Sequence, residues 1–216
     1  LGSVNWSGAT QDGWNIEIGA EGTFNRLISK VELFRIGTDQ ARTPVELPIA
    51  DATVKEYRGE AFASLGHAIT SDLRVDLGTT YEFSHLIVEG DAEAERALRF
   101  LKPRASLDWR PTGHWHFQFT LARTVGQLNF EDFVSAAELA SERVSGGNAA
   151  LVPQRAVELL ATAERRLLGD GMARLEFGYN SIGQLQDRVP TPDGLDAPGN
   201  LGTGRSAFVK GNLDLP

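Results

Sequence analysis

Strict alternation of apolar and polar positions runs through residues 101–125 and is interrupted by a Pro-Thr-Gly turn at 111–113. Before the turn, one set of positions is mainly apolar and the set between them is mainly charged: Leu101, Pro103, Ala105, Leu107 and Trp109 against Lys102, Arg104, Ser106, Asp108 and Arg110. After the turn the alternation resumes with Trp115, Phe117, Phe119 and Leu121 against His116, Gln118, Thr120 and Ala122. Successive side chains of a strand point to opposite faces, so the pattern predicts a β-hairpin with one apolar and one polar face.

The strands of this hairpin are long. Each spans roughly ten to twelve residues, compared with about five or six in an average soluble sheet. That length is what a tilted strand needs to cross a bilayer. We therefore expect the apolar face to contact lipid and the polar face to line the aqueous interior of a barrel.

Nine segments show similar alternation: 14–24, 27–37, 56–69, 73–87, 100–110, 114–125, 157–168, 172–181 and 205–215. Short and long connections alternate along the chain. The short ones are 25–26, 70–72, 111–113 and 169–171, and the long ones are 38–55, 88–99, 126–156 and 182–204. In an antiparallel meander all short turns then fall on one rim, as in outer-membrane barrels. The predicted fold class is all-β: an antiparallel up-and-down meander of about nine strands that forms part of an outer-membrane transmembrane β-barrel.

The alternation assigns the charged residues to the inner face of such a barrel. The candidate lumen-facing residues are Glu17, Glu21, Glu56, Arg58, Glu60, Arg74, Asp76, Lys102, Arg104, Asp108, Arg174 and Glu176. Three arginines fall on the outer face near strand ends, where a long side chain can reach the headgroups: Arg35, Arg123 and Arg165. Trp109 and Trp115 flank one turn and are the predicted aromatic girdle.

Composition leaves the class open but excludes several functions. A hydrophobic fraction of 41%, a charged fraction of 23% and a mean hydropathy of −0.22 suit a soluble domain or a barrel equally. No segment reaches the about 20 apolar residues of a membrane helix. The net charge of −8 and the lack of basic runs argue against a nucleic-acid partner. Without cysteine there is no disulfide or thiolate metal site.

No motif of a hydrolase, a zinc protease or a phosphate-binding loop occurs, so we expect no enzyme, no catalytic residues and no cofactor. His114 and His116 share a strand face but lack a third ligand, so we expect interfacial side chains rather than a metal site. The glycines at 199, 202 and 204 indicate a strand-entry turn. Residues 135–143, inside the longest loop, have a short helical pattern.

Four segments between residues 101 and 190 resemble the barrel of TonB-dependent outer-membrane receptors: 102–111, 123–134, 147–154 and 164–166. In that family an Asn-x-x-Leu-x-Pro element closes a long extracellular loop, and Asn148, Leu151 and Pro153 match it. Residues 196–205 are similar to the family's entry into a further strand. About half of the chain supports this resemblance.

The resemblance implies uptake of a scarce ligand, such as a siderophore, a cobalamin or an oligosaccharide, across a bacterial outer membrane. It implies four kinds of partner: outer-membrane lipid, a plug domain with further barrel strands, the inner-membrane TonB complex and the small ligand. A whole receptor has about 22 strands around its plug. We therefore expect residues 1–216 to be a partial barrel domain without a plug. The expected ligand contacts lie in the long loops: Phe130, Asp132, Phe133 and the acidic residues Asp187, Asp193 and Asp196.

One alternative remains from the pattern alone. A soluble β-sandwich also alternates apolar and polar positions, because each strand buries one face against a second sheet. Such a protein would be a binding module, for example for carbohydrate.

Overall fold

The computed structural model describes residues 1–138, 143–167, 171–191 and 195–215. In chain order its strands are β1 (Gly2–Ala9), β2 (Trp14–Lys30), β3 (Leu33–Ile36), β4 (Arg42–Val45), β5 (Asp51–Ala68), β6 (Leu73–Gly90), β7 (Ala94–Thr112), β8 (Trp115–Val125), β9 (Ala136–Glu138), β10 (Arg143–Ser145), β11 (Arg155–Arg166), β12 (Met172–Gly183), β13 (Gln186–Pro190), β14 (Asp196–Asn200) and β15 (Thr203–Asp214). A short 3-10 helix spans Phe130–Phe133.

Nine strands of the described chain form one sheet in the order β1-β2-β5-β6-β7-β8-β11-β12-β15. Every neighbouring pair in it is antiparallel. The strands between them build two small sheets, β13-β14-β10-β9 and the hairpin β3-β4. Within the described residues β1 and β15 are the two edges of the main sheet and do not pair with each other. The predicted antiparallel meander is confirmed.

The predicted turn at 25–26 is wrong. β2 runs through it without a break, since Asn25 pairs with Glu56 and Arg26 with Lys55. Alternation ends there because the inner face changes character: Leu27 packs against the apolar core under the loops instead of facing water. The remainder of the predicted strand 27–37 belongs to the separate β3-β4 hairpin, and Arg35 therefore lies outside the main sheet.

The first strand of the sheet was not predicted. β1 has the sequence GSVNWSGA, in which small residues dilute the apolar pattern to Val4 and Trp6. Its register with β2 is nonetheless continuous from Gly2↔Gly22 to Ala9↔Asn15. The missed strand and the falsely divided β2 offset each other, which is why the predicted number of strands agrees with the structure.

Short and long connections separate onto two rims, with one exception: the connection 91–93 is short but lies on the rim of the long ones. Residues 10–13, 69–72 and 113–114 are tight, whereas 31–50, 126–154 and 184–202 are long. The predicted long connection at 88–99 is wrong, because β6 continues to Gly90 and β7 begins at Ala94. Of the predicted turn at 169–171, residues 169 and 170 lie outside the described residues.

The helix expected at 135–143 is also wrong for the part that the structure describes. Residues 136–138 are the extended strand β9, and Arg143 begins β10. Residues 139–142 lie outside the described residues. The helical turn of this loop is instead Phe130–Phe133, where the Asn129 side chain accepts a hydrogen bond from the Glu131 backbone N–H at 3.2 Å.

The apolar core lies under the long loops. Phe133, Val134 and Leu151 from residues 126–154 pack, together with Ile49, against the inner face of β5 and β6: Ala52, Val54, Leu86 and Val88. The opposite face of the sheet stays uncovered in the described structure, since Leu77 is 50% exposed and Leu175 55%. This single sheet is not the sandwich of the alternative interpretation, which needs a second sheet on the apolar face.

Candidate functional site: a charged inner wall below packed loops

The pairing register places all the candidate lumen-facing residues on one face of the sheet. Directly paired residues share a face, and Glu21, Glu60 and Glu82 follow one another across β2, β5 and β6. The other candidates on β2, β5 and β6 lie an even number of residues from these three. On β7 the reference is Phe100, which pairs with Glu82, and on β12 it is Arg174, which pairs with Glu164 and through it with His116. The inner wall therefore collects Glu17, Glu21, Glu56, Arg58, Glu60, Arg74, Asp76, Lys102, Arg104, Asp108, Arg174 and Glu176.

In the half of the wall nearer the long loops, one ammonium group joins two carboxylates. Lys102 Nζ lies 2.7 Å from Glu82 Oε2 and 3.2 Å from Glu60 Oε1. Arg58 approaches Glu60 at 4.0 Å. Beside them, Glu56 accepts hydrogen bonds from Ser84 Oγ at 2.7 Å and Asn25 Nδ2 at 3.3 Å. This network ties β2, β5, β6 and β7 together through their inner side chains.

A second network lies toward the short turns. His116 Nε2 is 2.7 Å from Asp108 Oδ2, and His116 Nδ1 is 3.3 Å from Glu164 Oε2. Arg174 continues the chain, 2.9 Å from Glu164 and 3.2 Å from Glu176. The contacts cross β7, β8, β11 and β12, so charges of both signs are paired along the wall.

His116 was expected on the polar face of its hairpin, which is confirmed, and as an interfacial side chain, which is wrong. It pairs with Glu164, another inner-face residue that the sequence analysis did not single out. The even spacing of His116 from Gln118 and Thr120 is the signal that identifies it as inward-facing. His114 lies in the turn before β8 rather than on the strand.

Five other candidates occupy the wall without joining these networks: Glu17, Glu21, Arg74, Asp76 and Arg104. Arg74 forms a separate pair with Asp76, at 2.6 Å. Glu17 and the Arg74–Asp76 pair line a shallow cleft of about 430 Å³ on the inner face. Arg104 makes no ion pair with a described residue, and its side chain lines a neighbouring cleft of about 410 Å³.

The Asn-x-x-Leu-x-Pro element fastens the longest loop. Asn148 Nδ2 donates to the carbonyl of Pro198 at 2.8 Å, and its Oδ1 accepts from the Ala150 N–H at 2.8 Å. Leu151 is 1% exposed in the loop core, and Pro153 is buried. Arg96 of β7 donates to the carbonyls of Ala150 and Leu151, at 2.8 and 3.1 Å.

A second set of contacts joins this loop to residues 184–202. Asn200 Oδ1 accepts from the Val152 N–H at 3.0 Å, and Asn200 Nδ2 donates to the carbonyls of Val152 and Gln184, both at 3.0 Å. Gln186 Nε2 also donates to the Val152 carbonyl, at 2.9 Å. Sequence reasoning missed Arg96, Gln186 and Asn200, because single polar residues in strands and loops give no spacing signal. The loops form one packed unit over the inner wall.

Among the predicted loop contacts, Phe130 borders a cleft. The cleft has a volume of about 400 Å³. The Gln127–Glu131 segment, which contains Phe130, lines one side, and Glu56 and Arg58 of β5 line the other. Arg58 donates to the carboxamide oxygen of Gln127, at 2.6 Å from Nη1 and 3.1 Å from Nη2. The cleft combines an aromatic ring with paired charged and amide groups.

The expectation that Phe133 contacts a ligand is wrong. Its side chain is 0% exposed and packs in the loop core, with its ring 6.4 Å from that of Phe130. An aromatic side chain in a loop is exposed only when nothing packs against it. Here the inner face of β5 and β6 packs against Phe133. Phe133 is a structural residue of the loops.

The acidic loop residues differ in environment. Burial raises the pKa of the half-buried Asp132 carboxyl above its usual range; Arg188 opposes the rise and Glu131 adds to it. Asp187 is exposed and accepts a hydrogen bond from the Arg188 N–H at 2.8 Å. Asp196 begins β14, and Asp193 lies outside the described residues.

The outer face has aromatic residues at two levels. Trp109 and Trp115 are 43% and 36% exposed near the short-turn rim, and each ring lies 5.4 Å from that of Phe117. Arg165, expected to extend toward headgroups, lies with its guanidinium carbon 5.1 Å from the Trp115 ring centroid. Phe24 and Tyr57 pair at 4.8 Å nearer the long loops.

Between these levels the outward positions of β6 are uncharged: Leu73, Val75, Leu77, Thr79, Tyr81 and Phe83. At about 3.3 Å per residue and a tilt of about 40°, this stretch is about 25 Å high, the thickness of the apolar band of an outer-membrane barrel.

Among the described residues, no helix has the length and apolar character that crossing a membrane requires.

No protein-family model and no curated protein matches this chain. Solved structures do. The hemophore receptor HasR of Serratia marcescens, solved with its hemophore HasA and heme, aligns with a TM-score of 0.68 at 11% identity, over 98% of this chain and 38% of that one. The siderophore receptor PirA of Acinetobacter baumannii aligns with a TM-score of 0.64 at 10% identity, over 98% and 33%. The ferric-catecholate import receptor Fiu of Escherichia coli K12 gives 0.63 at 12% identity, over 98% and 34%.

At these identities the likeness shows the fold. The chain has the antiparallel meander of receptor β-barrels, and it spans about a third of the length of those receptors.

Proposed function

We propose that this chain is part of a TonB-dependent receptor barrel in a bacterial outer membrane, and that the receptor takes up a scarce ligand into the periplasm. The structures of similar fold are a siderophore receptor, a ferric-catecholate import receptor and a hemophore receptor in complex with its hemophore and heme. An iron-bearing ligand is therefore the class that the comparisons favour, over the cobalamin or oligosaccharide that the resemblance also allows. The role is transport, without catalysis.

The observation that supports this proposal most strongly is the contrast between the two faces of one sheet. The outer face is apolar and exposed over about 25 Å, whereas the inner face pairs charges of both signs. Exposed leucine and phenylalanine in such numbers are unfavourable in water and favourable against lipid tails. A charged inner wall suits a hydrated lumen.

The open sheet supports further strands as partners of this chain. Within the described residues β1 and β15 each have one unpaired edge, and backbone groups at an edge in a bilayer need hydrogen-bond partners. We propose that further strands of the receptor pair with these edges, that a plug domain contacts the inner wall, and that the receptor engages the inner-membrane TonB complex.

The cleft between Phe130 and Arg58 is the proposed point of ligand contact on this part of the barrel. Asn25, Glu56, Gln127 and Glu131 also line it, so it offers donors and acceptors beside an aromatic ring. Asp132 and Asp187 lie in the same set of loops. The packing of the loops holds these groups in place before a ligand arrives, which reduces the entropy lost on binding.

The test is the detergent dependence of the purified chain. Size-exclusion chromatography with light scattering gives its mass, and circular dichroism gives its strand content, each in detergent and in plain buffer. We expect a β-rich species in detergent only. A compact, β-rich monomer in plain buffer would overturn the membrane assignment, because the outer face would then have to be buried within the protein.

A further inference from the structure

Among the described strands of the main sheet, β7 and β8 share the shortest continuous pairing. It runs from Arg104↔Ala122 to Trp109↔Phe117, which is six residue pairs. On one side of it β6 and β7 pair over sixteen residues, and on the other side β8 and β11 pair over eleven. Within this part of the chain, the backbone hydrogen bonds that hold one strand to the next are therefore fewest between β7 and β8.

Two prolines limit this short pairing. Toward the long loops, the pair after Arg104 would join Pro103 to Arg123, but proline has no N–H and cannot donate to the Arg123 carbonyl. The ladder stops there although β8 itself continues to Val125. Toward the short turns, residues 110 and 111 lie opposite a single residue in a bulge that contains Pro111. The sequence thus limits the pairing at both ends.

The half of β7 nearer the long loops has a strand on one side only. Residues 94–103 pair with β6 throughout, from Val88↔Ala94 to Thr79↔Pro103. On the other side no described strand pairs with them, since Pro103 interrupts the ladder and β8 ends at Val125. The wall therefore steps down in height between β7 and β8.

Two loop segments cover this step, and we call them the strap. Residues 126–135 continue from β8, and residues 146–154 lead into β11. Phe133 and Leu151, one from each segment, are buried against the inner face of β5 and β6, in a cluster with Val54 and Leu86. The strap is therefore joined by the chain to one side of the β7–β8 pair and packed against the other side.

Polar contacts reinforce the strap where β7 lacks a neighbouring strand. Arg96 of β7 donates to the carbonyls of Ala150 and Leu151, at 2.8 and 3.1 Å. Arg155, which follows the strap at the start of β11, lies with its guanidinium carbon 5.7 Å from the centroid of the Phe100 ring. The described side-chain hydrogen bonds between β7 and β8 themselves lie in the half nearer the short turns. Toward the long loops, the strap takes the place of strand pairing.

We propose that the strap holds the barrel wall closed between β7 and β8, and that its release opens the wall there before β6–β7 or β8–β11 separate. Local opening costs least where the fewest contacts must break. The inference rests on the proposed function, since a separation of β7 from β8 opens a wall only in a closed barrel. Phe130, the proposed ligand contact, lies in the strap, so ligand contact and closure of the wall depend on the same segment.

The test is amide hydrogen exchange of the full chain in detergent micelles, with mass spectrometry of peptides that cover β8 (115–125) and β12 (172–183). Arg96→Met removes both hydrogen bonds from β7 to the strap. We expect exchange in β8 to become about tenfold faster, the order expected for the loss of those two bonds, and exchange in β12 to keep the wild-type rate. Arg99→Met is the matched control. Arg99 lies on the opposite face of β7, so its replacement should leave both rates unchanged.

A second variant distinguishes the strap from a general loss of stability. Pro103→Val supplies the missing N–H. Added to Arg96→Met, it should lengthen the β7–β8 pairing and return the exchange in β8 toward the wild-type rate. Equal acceleration in β8 and β12 by Arg96→Met, no acceleration, or no rescue by Pro103→Val overturns the strap and leaves the proposed function standing. A wild type that does not fold in detergent overturns the proposed function, and this inference with it.

Discussion

Lys102 and Glu82 form the shortest ion pair among the described residues in the half of the inner wall nearer the long loops, with 2.7 Å between Nζ and Oε2. The two side chains are 19% and 10% exposed, and Glu60 shares the same ammonium group at 3.2 Å. One cation thus offsets two carboxylates that come from neighbouring strands. Arg58 lies farther from Glu60, at 4.0 Å, so removal of the Lys102 ammonium group should be costly.

Lys102→Met is expected to lower the free energy of unfolding in micelles by about 1–2 kcal/mol, because Glu60 and Glu82 would then repel each other in a partly dehydrated wall. Denaturant titration followed by circular dichroism measures this. Arg104→Met is the control, since Arg104 lies two residues away on the same face without an ion pair to a described residue. Equal losses in both variants would show that side-chain volume, and not the charge pair, sets the effect.

Asn148→Ala is expected to loosen the longest loop while leaving the sheet intact. It removes the hydrogen bonds to the Pro198 carbonyl and the Ala150 N–H, at about 1 kcal/mol each. Limited proteolysis should cut within residues 126–154 several times faster, with unchanged circular dichroism. Asn212→Ala, on the strand β15, should leave the cleavage rate as in the wild type, and a rate unchanged in Asn148→Ala as well would contradict the fastening role.

Asp132 should make the loops more stable at low pH. Burial raises its pKa in the folded chain, so the folded state holds the proton more tightly than the unfolded state does. Its contribution to stability is greatest below the ordinary carboxyl pKa and is lost as the pH rises through the raised folded value.

Asp132→Asn should therefore slow proteolysis of the loops at pH 7.5 and have little effect near pH 4. Asp187→Asn, an exposed carboxyl in the same loops, is the control and should change cleavage little at either pH. A variant of Asp132 that is cleaved faster at neutral pH than the wild type would show that the ionised carboxylate is the stabilising form.

Sequence patterns predicted the sheet best where one face is apolar and the other is charged. From β5 to β8 the alternation of residues such as Leu77 and Asp76 identifies the strands, because one side chain meets the apolar band and the next meets charge. The prediction failed at the long-loop end of β2, where Leu27 packs under the loops and both faces change character. It also failed for the Gly- and Ser-rich β1.

The inner wall could be predicted as a face but not as a set of pairs. Alternation places Asp108 and Glu164 inward, yet only the register of β7, β8 and β11 brings both to His116. The loop contacts of Arg96 and Asn200 depend on chain segments about 50 residues apart. Such long-range contacts have no local signature, and the burial of Phe133 follows from them.

The most direct test of the membrane-facing sheet compares two adjacent residues of β8. Phe119 points outward, where it is 42% exposed and pairs with Leu107 and Ala161, whereas Gln118 points inward. We would measure the free energy of unfolding of Phe119→Arg and Gln118→Arg in phosphatidylcholine bilayers by denaturant titration. The account predicts a loss of about 2–4 kcal/mol for Phe119→Arg and a small change for Gln118→Arg. Equal tolerance of arginine at the two positions would contradict it.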